Sequence, residues 1–147
     1  MQPAVVVMPV YNGSENDGKK AFSAYYDVGP VADLTQEVTY PELNRMQNPM
    51  ATYGDRKAFK ATVVTSLAPE RFRHIFDEFS KLVAEIPEAA GSAVLIELIP
   101  YGKIVSVSPT ATAFGNRGKW FNINFSMRWK DADLDTRVCS TLCNVDV

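Results

Sequence analysis

The sequence predicts an α+β domain, an antiparallel β-sheet with helices packed on one of its faces, and three observations predict it. From Trp120 to Trp129 the residues alternate with period two. Trp120, Asn122, Asn124, Ser126 and Arg128 point one way, and Phe121, Ile123, Phe125, Met127 and Trp129 the other. From Pro69 to Ile86, Phe72, Ile75, Phe76, Phe79, Leu82, Val83 and Ile86 fall three and four apart, which paints one apolar stripe on a helix. Between and before these runs the pattern reads strand, helix, strand, long helix, then further strands. A helix with one oily stripe must lie on something, and a strand with one oily face supplies it.

The elements follow in order. Gln2 to Tyr11 is a candidate first strand, stiffened by Val5-Val6-Val7 and turned by Asn12-Gly13. Ser14 caps a helix to about Tyr26, with Glu15 and Asp17 beside the exposed N–H groups of its first turn, and Gly29-Pro30 stops it. Asp33 to Thr39 reads as extended, and Tyr40 to Asn44 as a helical turn opened by Pro41. Asp55 to Thr65 alternates again, with Phe59, Ala61 and Val63 on one face and Ala58, Lys60, Thr62 and Val64 on the other. After the long helix, Pro87 to Gly91 breaks the chain and Ser92 opens another alternating run. In it Val94, Ile96 and Leu98 oppose Leu95, Glu97 and Ile99. A loop carrying Pro109, Gly115, Asn116, Arg117 and Gly118 then leads to the final strand.

Length and composition bound the function. A chain of 147 residues is one domain, able to bury roughly two thirds of its unfolded surface. Hydrophobic residues at 46% and a net charge of −2 offer nothing to a polyanion, so nucleic acid is not an expected partner. The apolar run Ala4 to Val10 lacks a basic flank, contains Pro9 and is too short to span a bilayer, so a soluble, cytoplasmic protein with no membrane partner is expected. Cys139 and Cys143 are too few and too close for a secreted disulfide framework. They read either as thiols of a frayed tail or, on a helix face, as a redox pair or half a metal site. His74, among polar neighbours, reads as solvated, and no metal is expected.

The side of the final strand that carries Asn122, Asn124 and Ser126 is where a ligand is expected, because carboxamides and a hydroxyl there are not needed for packing. Glu97 stands in an otherwise apolar strand, where an unpaired carboxylate would be costly. Either it pairs with Arg117 or Arg128, or it points into a cleft as an acid or base.

Glu97-Leu98-Ile99-Pro100-Tyr101-Gly102, then Thr112-Ala113-Phe114-Gly115-Asn116-Arg117-Gly118, then the aromatic strand ending Arg128-Trp129, resemble the substrate domain of berberine-bridge-enzyme-like, FAD-linked oxidoreductases. Pro9 to Gly13, Gly29-Pro30 and Tyr40 to Asn44 extend the resemblance over about Val5 to Asp135. It implies a ferredoxin-like or oxidase-substrate-domain sheet over residues 1–137, with a divergent tail over 138–147. By position Asn122, Asn124, Ser126, Arg117 and Arg128 would bind substrate, and Glu97 and Tyr101 would move a proton. Gly115-Asn116 stands where the family has Pro-His, so that histidine's role is absent.

No glycine-rich phosphate cradle precedes the domain, so no cofactor is expected, and hydride transfer needs one. The resemblance therefore implies a flavin-independent domain that binds a hydrophobic small molecule, with non-redox cyclisation or isomerisation in natural-product metabolism as its chemistry. The alternative is a truncated or separate subunit of such an oxidoreductase, inactive alone. A surface once covered by the FAD domain would be exposed, which implies a homodimer through the open sheet or its edge. A plain ferredoxin-like interaction module is the third reading.

Overall fold

The structure, a computed structural model, describes the backbone of residues 3–144 and the side chains of residues 3–141. Gln2, the end of the tail (145–147) and the side chain of Cys143 lie outside the described residues. The chain divides into two compact units. One is Ala4–Tyr53, and the other consists mainly of the residues from Gly54 onward.

In the first unit, residues 3–11 form no strand. Three β-branched residues carry strand propensity, but a strand needs a neighbour, and Pro3 and Pro9 lack the N–H that a ladder uses. The expected helix forms as two, α1 (Glu15–Ala21) and α2 (Ser23–Asp27). Ser14 caps the first as expected, its hydroxyl oxygen accepting the Asp17 N–H at 3.2 Å. The break falls at Phe22, at φ −110° and ψ 20°. There its ring stands edge-on to Tyr11 with centroids 6.5 Å apart.

Asp33 to Thr39 joins no ladder, and Asp33 accepts the Thr35 N–H at 2.9 Å in a local turn. The helical turn at Pro41 is α3 (Tyr40–Arg45), where Glu42 reaches back to the Thr39 N–H at 2.9 Å. No described residue of this unit is buried.

The second unit holds the sheet. Gly54 and Asp55 take positive φ (90° and 53°) and turn the chain into β1 (Arg56–Val64). Then come α4 (Pro69–Glu85), a 3₁₀ turn at Pro87–Gly91, β2 (Ala93–Glu97), α5 (Gly102–Val105), β3 (Phe121–Trp129), a 3₁₀ turn at Ala132–Leu134 and α6 (Asp135–Asn144).

The fold is α+β with a three-stranded antiparallel sheet in the order β1-β3-β2. Both outer strands run antiparallel to β3 and so parallel to each other. β1-α4-β2 is thus a β-α-β crossover with β3 inserted between its strands.

The expected stripe is the buried side of α4. Ile75 and Leu82, with Ile86 and Ala89 just beyond, meet Ile123, Phe125, Met127 and Trp129 of β3, together with Val64 and Val138. Burial of such side chains stabilises by about 1.5–3 kcal/mol each, so this layer is the core. Val138 is fully buried, which corrects the frayed-tail reading of residues 138–144: they belong to a helix that completes the core. Among the described residues no helix is long and apolar enough to cross a membrane.

Candidate functional site

β3 turns Ile123, Phe125, Met127 and Trp129 into the helix layer and leaves Asn122, Asn124, Ser126 and Arg128 half-buried on the opposite face. Register aligns the neighbours in rows. Val63, Asn122 and Glu97 form one, Ala61, Asn124 and Leu95 the next, and Phe59, Ser126 and Ala93 the third. The open face is therefore a polar seam on the central strand between two apolar margins. Phe59 remains 70% exposed and Val63 45% exposed. On β1 it is the more apolar of the two faces that looks outward, while Ala58, Thr62 and Val64 turn toward the core.

One end of the seam is a hydrogen-bond chain. The Trp120 indole N–H donates to Asn116 Oδ1 at 2.5 Å, and Asn116 Nδ2 donates to Asn122 Oδ1 at 3.2 Å. Asn122 Nδ2 in turn donates to Glu97 Oε2 at 3.3 Å. Gly118 makes room for the first link, since a Cβ there would lie 1.7 Å from the Trp120 ring.

Further along, the side chains of Asn124 and Ser126 make no hydrogen bond to any described residue. A half-buried carboxamide holds two donors and an acceptor, and a hydroxyl holds both kinds. Here that capacity is open.

The structure places Asn122, Asn124, Ser126, Arg128 and Glu97 on one face of the sheet, with Arg128 engaged by Asp55, and it engages Arg117 and Tyr101 elsewhere. Glu97 pairs with neither Arg117 nor Arg128; it is exposed at the end of β2 and accepts from Asn122. That position corrects the reading of Glu97 as the ion-pair partner of either arginine.

Arg128 is committed to Asp55, Nε to Oδ2 at 2.5 Å, and the guanidinium holds the Asp55 carboxyl below the usual carboxylate range. Arg117 staples its own loop. It donates to Thr112 Oγ1 at 2.7 Å and to the Ile104 carbonyl at 3.4 Å, and lies 5.2 Å over the Phe114 ring. Tyr101 sets its ring edge-on to Phe121 with centroids 5.9 Å apart, and Phe121 belongs to the covered face rather than to the amide row.

Asn116 and Asp135 are the residues of these hydrogen-bond networks to which sequence reasoning gave no part. The position of Asn116 six residues before Asn122 is the only signal of the first, because the loop between them has no period to read. Asp135 binds the Arg56 guanidinium through both oxygens and accepts the Trp129 indole N–H at 2.8 Å. Hydrogen bonding by Arg56 chiefly, with Trp129 adding to it, holds the Asp135 carboxyl below its ordinary value.

Around this pair lies an open depression of about 420 Å³, lined by Asp55, Arg56, Lys57, Ala58, Trp129, Asp135 and the exposed Cys139. It is not part of the amide row. Among the described residues no three His, Cys, Asp or Glu side chains gather to hold a metal. Compared with known protein families, with curated proteins and with solved structures, the chain matches none.

Proposed function

We propose that this chain is a flavin-independent binding domain for a small hydrophobic molecule, with the open sheet face as its platform. The observation that carries this reading is the pair Asn124 and Ser126, whose donors and acceptors are unused among the described residues while Phe59, Ala61, Ala93 and Leu95 flank them. Apolar surface around a few convergent polar groups is the composition by which proteins orient small molecules. The motifs that resemble the berberine-bridge-enzyme-like substrate domain, and the third strand inserted into the β-α-β unit, support the same face as the substrate side.

Any turnover on it is non-redox, a cyclisation or isomerisation favoured by holding a folded substrate, with Glu97 as the proton-transfer group at the rim. A separate subunit of a flavin-linked enzyme would present the same face to a second polypeptide. The exposed run Leu98-Ile99 beyond β2 favours that second reading.

Titration of the intact chain with 8-anilinonaphthalene-1-sulfonate, followed by amide NMR shifts, tests the platform. Saturable shifts should centre on Ala61, Leu95, Asn124 and Ser126. Asn124→Ala should weaken binding about tenfold, the equivalent of about 1.4 kcal/mol. Shifts centred on Trp129 and Cys139, or an affinity indifferent to Asn124, would overturn the reading. Tight binding of added FAD would overturn its flavin-independent part.

A further inference from the structure

The sheet has two outer strands, and they are defended differently. β1 carries Lys57 and Lys60, both engaged by other groups, and lysines on an outer strand guard it against further pairing. β2 carries no lysine, arginine, proline or glycine, and its one charge, Glu97, is its last residue. β3 pairs with one edge of β2, and among the described residues no strand and no hydrogen bond reaches the backbone of the other. That edge is a row of unpaired N–H and C=O groups. The residues along it decide what can pair there.

A second copy related by a two-fold axis normal to the sheet presents the same edge antiparallel and keeps both open faces on one side. Residues opposite each other must share a face, so the axis stands between a residue and its own copy. Centring on Leu95 pairs all five residues of β2 with β2: Leu95 meets Leu95, Ala93 meets Glu97 and Val94 meets Ile96. Moving the axis to Val94 or Ile96 leaves only three residues of the strand paired within it. Moving it to Glu97 sets two carboxylates directly opposite, and like charges there destabilise a pair. Glu97 has no cation to offset this, because its partner among the described residues is Asn122.

The Leu95 register also carries the rows of one sheet into the other. The central row becomes Ala61, Asn124 and Leu95, followed by the same three of the second copy in reverse. The row Val63, Asn122 and Glu97 runs on into Ala93, Ser126 and Phe59 of the second copy. On the helix-facing side Val94 meets Ile96 twice, a β-branched pair that covers Ile96, which is 39% exposed in the single chain.

We infer that the chain forms a two-fold homodimer by β2-to-β2 edge pairing in the register that sets Leu95 against Leu95, giving a six-stranded sheet in the order β1-β3-β2-β2-β3-β1. The strands that carry lysine then form its outer edges, and the strand without one lies at its centre. The amide seams of both copies share one face, with the Leu95 pair between them. A join of five residues belongs at the small end of specific interfaces, below about 1,200 Å², so the dimer is a concentration-dependent one. It is held by backbone groups and needs no ligand, so it stands or falls apart from the binding platform.

Sedimentation velocity of the intact chain over a range of loading concentrations should show a monomer passing to a dimer. Ile96→Lys sets a charge against Val94 of the second copy and should move the midpoint at least tenfold to higher concentration, with an unchanged circular-dichroism spectrum showing that the fold is kept. Cross-linking decides independently of that variant. With Cys139 and Cys143 replaced by Ser, Leu95→Cys should form a disulfide dimer under mild air oxidation, because facing Cα atoms lie about 4.5–5.5 Å apart. Glu97→Cys, at a more exposed position, should cross-link at least tenfold more slowly, since its own copy lies four residues, about 14 Å, along the edge. A monomer at every concentration, a midpoint indifferent to a folded Ile96→Lys, or cross-linking through residue 97 in preference to 95 overturns the pairing. So does a dimer that cross-links through Ala61→Cys or Asn124→Cys and not through Leu95→Cys, the signature of joining at β1 or of stacking face to face.

Discussion

Gly118 and Trp120 decide whether the seam has an organised end. The indole occupies the space where any Cβ at position 118 would stand, and from there it holds Asn116 against Asn122. Gly118→Ala therefore has to move either the ring or the loop backbone, and overpacking of this kind costs about 1–3 kcal/mol. The expected result is a shifted indole N–H resonance for Trp120, with Asn122 losing its Asn116 partner. The only other tryptophan, Trp129, is buried and bonded to Asp135, so its indole resonance should stay in place as the internal control. That alternation on the final strand places Asn122, Asn124 and Ser126 on one face was readable from period two alone. What each of them touches was not, because Asn116 and Asp55 come from turns whose geometry no periodicity encodes.

Among the elements, α4 and β3 are what the sequence expresses best, and for one reason: each has an apolar face wide enough to have only one place to go. Leu82 lies at the centre of the helix stripe and is 1% exposed, in the same cluster as Ile123 and Phe125. Leu82→Ala should cost about 2–5 kcal/mol, read as a fall in the midpoint of chemical denaturation, because a sheet cannot close onto the space that a lost isobutyl group leaves. The first strand and the single first helix failed to form for the converse reason. Val5 to Val10 has propensity without a partner strand, and Phe22 gives up helical geometry for a ring contact with Tyr11. Propensity proposes an element, and burial decides it. The C-terminal helix shows the same rule from the other side, since one residue, Val138, at full burial turns an expected tail into part of the core.

At the scale of the whole molecule, two aspartates fasten distant parts of the sheet unit, and both have their carboxyl pKa lowered by the arginine that each one binds. Asp55 joins the turn before β1 to Arg128 of β3, and Asp135 joins α6 to Arg56 of β1 and to Trp129. Near pH 4 the folded chain thus binds fewer protons at these groups than the unfolded chain does. Their stabilisation is complete above the ordinary carboxylate pKa of about 3.9 and is lost as pH falls through the lower folded values. Asp55→Asn and Asp135→Asn should each melt below the parent at neutral pH. On acidification each should lose less than the parent does, so that the melting curves converge toward low pH. Thermal melts taken from about pH 7 down to about pH 2.5 measure this directly. Because Asp135 also accepts the Trp129 indole N–H, which an asparagine oxygen can still receive, its variant should keep the Trp129 environment while losing the acid dependence. A separation from the parent that stays constant at every pH would mean that shape, and not charge, is what these two residues contribute.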